Sequence, residues 1–249
     1  MNGHEEQSST APSLWAAGSA LLVYFMIQLA VGLMMALGLL LFAVLSGKDH
    51  PTALLGTSSF KSHVFLLAVP LSCGLSILLY RYWFNRAWKG VGFTGLGIQP
   101  LAPGRVGLHV LLGMGVSIMG GALAAMLSHG KSVPEDIVQI LLHSSFAVRV
   151  GIALAAVLIV PVAEEILFRG ILLSALLRHA SLSVAVGLDA TLFALVHLPD
   201  LGWKPQGLLP LALVGGVCCW RRIRTGSIYS AIAVHAGFNL LAVLVFFLH

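Results

Sequence analysis

Residues 14–45 read LWAAGSALLVYFMIQLAVGLMMALGLLLFAVL, a run that contains no Asp, Glu, Lys or Arg. A helix that crosses the hydrocarbon core of a bilayer, about 30 Å thick, needs about 20 mostly apolar residues. The run exceeds that length, and it is also much longer than the apolar part of a cleaved signal peptide, about 7–15 residues. It therefore predicts a retained transmembrane helix.

The composition of the whole chain agrees with this prediction. Apolar residues make up 58% of the 249 positions and charged residues only 9%, and the mean hydropathy is +0.96. A soluble domain carries about 25% charged residues, so the composition is typical of a membrane protein. The net charge of +5 is spread over short connecting segments. It indicates membrane topology and contact with anionic lipid headgroups, and we expect no nucleic-acid partner.

Six more apolar segments follow the first run. The predicted fold class is therefore an all-α, polytopic transmembrane helical bundle of about seven spans, with its catalytic core in the C-terminal half. The sixth span is short for a membrane crossing, and the polar segment 133–147 is expected to form an interfacial helix. The predicted spans are 14–45, 64–82, 106–128, 148–177, 182–198, 207–220 and 227–248.

Orientation is predicted from the basic residues between the spans. With seven spans, eight Lys or Arg residues fall on one side and five on the other, and the richer side is expected in the cytoplasm. The N-terminus is then cytoplasmic, in what we expect to be a bacterial cytoplasmic membrane. The richer side holds Arg81, Arg86, Lys89, Arg105, Arg178, Arg221, Arg222 and Arg224; the other holds Lys48, Lys61, Lys131, Arg149 and Lys204.

The fourth span contains a costly cluster of ionisable groups, in the sequence VPVAEEILFRG at 160–170. Such side chains at bilayer depth cost about 2.5–3.5 kcal/mol each by insertion scales, so they tend to mark functional sites. Glu165 and Arg169 are four residues apart and can pair on one helix face. Glu164 points about 100° away. Pro161 removes a backbone hydrogen bond and is expected to bend the helix near the carboxylates.

Two later spans carry further polar groups. The fifth ends with Phe193 and His197, and the seventh contains His235 and Asn239, which share a helix face. A carboxylate base, an imidazole and hydrogen-bond donors for an oxyanion are what water activation requires. A lone buried His is more often a satisfied core residue, and a lone Glu–Arg pair can be structural. The joint pattern EExxxR, FxxxH and HxxxN on successive spans is far more specific.

On these residues the sequence resembles the CPBP (Abi) family of intramembrane proteases, which includes the type II CAAX prenyl endopeptidases. The resemblance covers roughly residues 150–245 and implies a catalytic core, which we predict at 129–249; the sequence before it is predicted as a polar tail at 1–13 and transmembrane helices at 14–128. It implies that Glu164 and His197 activate water, and that His235 and Asn239 stabilise the oxyanion. Glu165, Arg169 and Phe193 would support them. The implied partners are membrane lipid and a peptide or protein substrate, prenylated or of the leader type.

Metal dependence stays open at this point. Either no cofactor is needed, or a divalent metal such as zinc is held by Glu164, His197 and His235. Two other questions are open as well. Asp189, about 12 Å along the helix from His197, has no assigned partner. Glu164 and His197 are also expected to differ in depth by roughly 15 Å, a gap that a bend at Pro161 or a tilted helix would have to close.

Two alternative functions remain. A non-catalytic immunity or scaffolding protein would bind a peptide through the same residues. A proton-coupled transporter would use the buried Glu, Asp, Arg and His side chains as a relay, although transporters often contain inverted repeats and this sequence shows none.

Overall fold

The computed structural model describes residues 11–47, 50–89, 95–128, 138 and 141–248, and within these ranges the chain forms helices and loops without a strand. Five of the helices, the first, second, fourth, fifth and eighth, are long and apolar enough to cross a membrane. The helices are α1 (Leu14–Leu45), α2 (Ser58–Trp83), α3 (Asn85–Lys89), α4 (Pro103–Leu127), α5 (Phe146–Leu176), α6 (Leu182–Leu195), α7 (Leu208–Thr225) and α8 (Ile228–Leu248).

The predicted all-α, polytopic bundle is confirmed, and five of its predicted spans are helices long and apolar enough to cross a membrane. The fifth and sixth predicted spans are shorter elements than the other five. Helix α6 has 14 residues and rises only about 21 Å. Helix α7 has 18 residues, but its last two turns carry three arginines. The chain reverses between α6 and α7 at Gly202 and Trp203, which both have positive φ angles.

Helix α5 carries the predicted carboxylates and is irregular around them. A π-helical stretch at Ala155–Ile159 precedes the α-helical turn Val160–Glu165, and a second π-helical stretch follows at Ile166–Leu172. Pro161 lies between them and has no N–H to donate. π-helical turns inside α-helices are common at functional sites. The helix is thus widened on both sides of the carboxylates, and the bend expected at Pro161 stays a prediction.

Three helix pairs organise the bundle: α1 packs on α2, α4 on α8 and α6 on α7. The α4–α8 pair approaches most closely through glycines. A Cβ on Gly113 would collide with the backbone carbonyl of Val234, and one on Gly237 would collide with that of Val110. This close packing fixes α8, which carries two of the predicted site residues. Of the 15 residues of the predicted interfacial helix at 133–147, seven lie outside the described residues.

Candidate active site

Helix α5 buries both predicted carboxylates in the middle of the bundle. The exposed fraction of Glu164 is 8% and that of Glu165 is 0%. The π-helical turns on either side rotate the helix, and the two carboxylates point in different directions, as their neighbours show. Glu164 faces two imidazoles and Glu165 faces a buried cation. Two adjacent acidic residues therefore have separate environments.

Glu164 lies between His197 and His235. Its Oε1 is 3.9 Å from Nε2 of His197, and its Oε2 is 3.8 Å from Nε2 of His235. Both distances exceed direct hydrogen-bond length. Oε2 of Glu164 is buried and has no hydrogen-bond partner among the described residues. A buried acceptor of this kind calls for a donor, so the gap suits a small molecule such as water.

The expected depth difference between Glu164 and His197 is wrong. Helices α5 and α6 are joined by the connection 177–181, and depth has to be counted from there. Glu164 lies 12 residues before Leu176 and His197 lies 15 residues after Leu182, so they are about 18 and 22 Å from that connection. The two residues are nearly level, and no bend is needed to bring them together.

His197 is held with one ring nitrogen turned toward Glu164. Its Nδ1 lies 2.7 Å from the carbonyl oxygen of Phe193. A carbonyl only accepts hydrogen bonds, so Nδ1 carries the proton and donates it. In the neutral ring Nε2 then has a free lone pair and can accept a proton. The turn that ends α6 thus places Nε2 of His197 beside Glu164.

His235 is the link between the two carboxylates. Its Nδ1 is 2.9 Å from Oε1 of Glu165, while its Nε2 faces Glu164. Oε1 of Glu165 also accepts a hydrogen bond of 3.0 Å from Nη1 of Arg169, the i,i+4 pair that the spacing predicts. Glu165 therefore orients the ring of His235 as a buried carboxylate orients an imidazole in other enzymes.

Asp189 belongs to the same buried network. Its Oδ1 is 3.3 Å from Nε of Arg169 and accepts a 3.1 Å hydrogen bond from the thiol of Cys219. Arg169 and Asp189 are both fully buried, and Arg169 bridges Asp189 and Glu165. A buried cation with two carboxylates is compensated in charge. The role of Asp189 that the sequence left open is a contact with Arg169.

Phe193 packs at the centre of this cluster. Its ring centroid is 5.0 Å from that of His197 and 5.5 Å from that of His235, the latter edge-to-face at 88°. The guanidinium of Arg169 lies over the same ring, 4.3 Å from its centroid. Such contacts fix ring positions and favour a cation over the aromatic face. Phe193 therefore holds both imidazoles in place.

Asn239 lies on the next turn of α8 from His235. Its Nδ2 donates a 2.8 Å hydrogen bond to the carbonyl of Ala156, in the first π-helical stretch of α5. Asn239 also lines a cavity of about 1090 Å³ together with Glu164 and His197. His235 is only 4% exposed and is not among the described residues that line this cavity. Of the two residues predicted to stabilise an oxyanion, Asn239 thus lines the cavity and His235 is not among the described residues that do.

The cavity also contains residues that the sequence did not single out. Tyr24 and Gln28 on α1 line it, and the Tyr24 hydroxyl is buried without a hydrogen-bond partner among the described residues. These two polar residues lie four apart in an otherwise apolar helix, a signal that could have been noticed. Cys219 gives no such signal, because a Cys in an apolar stretch is usually a packing residue.

The three residues suggested as metal ligands do not form a metal site as placed. Ligand atoms about 2.0–2.1 Å from a tetrahedral zinc are about 3.3 Å apart, and the Glu164–His separations are longer, at 3.8 and 3.9 Å. In the described part of the chain, no three His, Cys, Asp or Glu side chains are grouped so that they hold a metal.

Comparison with known families identifies the segment that holds this cluster. Residues 144–241 match the type II CAAX prenyl endopeptidase Rce1-like family. This match confirms the resemblance to intramembrane proteases, and it includes all seven motif residues from Glu164 to Asn239. Helices α1 to α4 lie outside it. The comparisons with curated proteins and with solved structures found no match.

Proposed function

We propose that the protein is an intramembrane endopeptidase, in which Glu164 and His197 activate a water molecule against a peptide bond of a membrane-associated peptide. The observation that carries the proposal is the 3.9 Å separation between Oε1 of Glu164 and Nε2 of His197 at the wall of a cavity. A water about 2.8 Å from each atom would satisfy both. The family match supports a protease.

The reaction follows from this arrangement. The water gives a proton to the Glu164–His197 pair while its oxygen adds to the carbonyl carbon of the scissile bond. The resulting oxyanion needs a donor, and the cavity-lining amide of Asn239 is the candidate. When the carbon–nitrogen bond breaks, the same pair returns the proton to the leaving amine. Each proton taken up in the first step is thus used in the second.

The other polar residues act through these groups. We propose that His235 fixes the position of Glu164, because its Nε2 faces that carboxylate and its Nδ1 is bound by Glu165. Arg169 in turn holds Glu165 through an ion pair, and Phe193 packs against the imidazoles. This role for His235 differs from the oxyanion role that the family resemblance implied. The catalytic core is proposed as 129–249, with 14–128 contributing helices around it.

The experiment compares Glu164→Gln with wild type by quantitative proteomics of cells that express each. Glu164→Gln keeps the size of the side chain and removes its ability to accept a proton. Processing of at least one membrane-associated peptide should fall by about 10²–10⁴-fold. Asp200→Asn makes the same chemical change elsewhere on the cavity wall and should slow processing far less than Glu164→Gln does.

Other outcomes favour the alternatives. Full processing in Glu164→Gln at normal expression would contradict the proposal. A phenotype that survives both Glu164→Ala and His197→Ala would favour a peptide-binding immunity or scaffolding protein. Uptake into proteoliposomes that depends on a proton gradient would favour a transporter.

A further inference from the structure

The two ends of the bundle differ in charge. One end, called here the basic end, collects eight of the 14 Lys and Arg residues of the chain. The connection between α2 and α4, the C-terminal end of α5 and the C-terminal end of α7 all lie there. The basic end is defined by Arg81, Arg86, Lys89, Arg105, Arg178, Arg221, Arg222 and Arg224.

Direct contacts show that these segments share one end. Arg178, just after α5, donates a 2.9 Å hydrogen bond to the carbonyl of Ala11, just before α1. Arg222 in α7 donates to the carbonyl of Gly95, at 3.3 Å. The Ser174 hydroxyl in α5 donates to the same carbonyl. Residues far apart in sequence thus meet at the basic end.

The N-terminal part of α4 lies at this end as well. His109 is buried, and its Nε2 lies 2.9 Å from Nη2 of Arg221. The hydroxyl of Ser227, just before α8, donates to the carbonyl of Gln99, just before α4. Helices α4 and α8 therefore start side by side and run toward the other end of the bundle.

The opposite end contains the reversal between α6 and α7 and the last turns of α4 and α8. The rings of Phe146 at the start of α5 and Phe247 at the end of α8 are 6.1 Å apart there. Only Lys61, Arg149 and Lys204 are basic among its described residues. By the rule that basic segments stay in the cytoplasm, the basic end is cytoplasmic and this end is not.

The cavity beside Glu164 extends to the end that is poor in basic residues. It is lined there by Ser128, which caps α4, and by Pro199, Asp200 and Leu201 in the reversal after α6. It reaches α5 in the middle of the bundle. Among the described residues that line it, none comes from 95–99 or from 221–228. The path from the carboxylate to water thus leads away from the basic end.

We infer that the active-site cavity opens on the extracytoplasmic face of the membrane. Its substrate is then a peptide segment exposed on that face, such as part of an exported or membrane-anchored chain. That the bound peptide is a substrate rests on the proposed function. The direction in which the cavity opens does not depend on catalysis. A peptide confined to the cytoplasmic surface would meet the basic end and would not reach Glu164.

Labelling of single introduced cysteines tests the direction of opening in intact cells. The three native cysteines are buried, so background labelling by a membrane-impermeant maleimide is low and is measured in wild type. Ser128→Cys places a thiol of similar size on the cavity wall, and Lys204→Cys places one on the exposed reversal after α6. Arg86→Cys is the matched control, exposed at the basic end.

Ser128→Cys and Lys204→Cys should be labelled in intact cells as fully as after lysis. Arg86→Cys should lose its label in intact cells and gain it after lysis. The reverse pattern would overturn the inference. In a further outcome, Lys204→Cys is labelled in intact and lysed cells but Ser128→Cys is labelled in neither. The loop would then lie outside the cell while the cavity is closed, and this outcome would also overturn the inference.

A second measurement tests the substrate class. Cleavage sites that disappear in Glu164→Gln are mapped onto the topology of their parent chains. They should lie on extracytoplasmic segments, and sites on cytoplasmic segments would overturn the inference while leaving the hydrolase intact. If no site disappears, the proposed hydrolase fails, and the labelling result still decides the direction of opening.

Discussion

The N-terminal helices and the matched segment 144–241 bury different kinds of polar groups. In α1 and α2 the buried polar side chains are neutral, and all but the Tyr24 hydroxyl bond to one another or to the backbone. Ser72 donates to Gln28 at 2.8 Å, and Tyr80 donates to the carbonyl of Ala20 at 3.0 Å. In the matched segment the buried polar groups include ionisable ones as well as serines, and Arg169 holds Glu165 and Asp189 through ion pairs.

The N-terminal helices thus support the bundle, whereas the matched segment holds the groups proposed to carry out the reaction. Residues of both regions line the same cavity. Neutral hydrogen bonds each contribute about 1 kcal/mol, whereas a buried charge that loses its partner costs several kcal/mol. The matched segment should therefore be sensitive to single changes, and the N-terminal helices should be tolerant. Three paired comparisons of variants test this contrast, in order of decreasing expected effect.

The largest effect is expected for Arg169→Leu. The leucine has no charge, so Glu165 and Asp189 would be buried without their cation. Removing one partner of a buried ion pair costs about 3–5 kcal/mol. We expect a large fall in the midpoint of thermal unfolding in detergent, together with loss of processing, because the orientation of His235 depends on Glu165.

Arg86→Leu serves as the control for Arg169→Leu. It removes the same charge from an exposed position at the basic end and should change the free energy of unfolding by less than about 0.5 kcal/mol. If Arg169→Leu unfolded at the temperature of Arg86→Leu, the buried network would not stabilise the segment as described.

The network also shows what the sequence could predict. The i,i+4 spacing of Glu165 and Arg169 predicts their contact, because both lie on one helix. The contact between Arg169 and Asp189 joins two helices, and it depends on how α5 and α6 are rotated relative to each other. Helical periodicity within a single segment carries no information about that rotation. The two π-helical stretches of α5 change the rotation further.

Span lengths show the same limit. The five long helices agree with the predicted apolar runs, because length and hydropathy are properties of one segment. Helix α6 is shorter than its predicted run 182–198, because the chain already turns at His197, whose Nδ1 bonds the carbonyl of Phe193. This turn serves the site, and apolar composition alone does not reveal it. The similar depth of Glu164 and His197, counted from the connection between α5 and α6, can by contrast be predicted from the sequence.

A smaller effect is expected for Gly113→Ala, which tests how firmly the N-terminal helix α4 holds α8. The added Cβ would collide with the backbone carbonyl of Val234, so the two helices would have to separate. Overpacking of this kind costs about 1–3 kcal/mol. We expect a lower unfolding temperature and reduced processing, since His235 is on α8.

Gly115→Ala is the matched control, two residues further along the same helix. A Cβ at Gly115 has no atom within 4 Å, so this substitution should be neutral or slightly stabilising. Equal unfolding temperatures for the two variants would contradict the close approach of α4 and α8.

The smallest effects are expected for two tyrosines of the N-terminal helices. Tyr80→Phe removes the hydroxyl that donates to Ala20 and leaves that interaction unmade, which should cost about 1 kcal/mol. Tyr24→Phe removes a buried hydroxyl that has no hydrogen-bond partner among the described residues. It should leave the unfolding temperature unchanged or raise it slightly.

When processing is measured in place of stability, the order of the two tyrosine variants should reverse, and Tyr24→Phe should have the larger effect. Tyr24 lines the cavity with Glu164 and His197, where its hydroxyl can contact water or substrate. Tyr80 is not among the described residues that line the cavity. Tyr24→Phe should therefore slow processing by a few-fold at normal stability, and Tyr80→Phe should lower stability at normal processing. If neither variant slowed processing, α1 would shape the cavity without a polar contact to the substrate. All polar groups that affect processing would then lie in the matched segment.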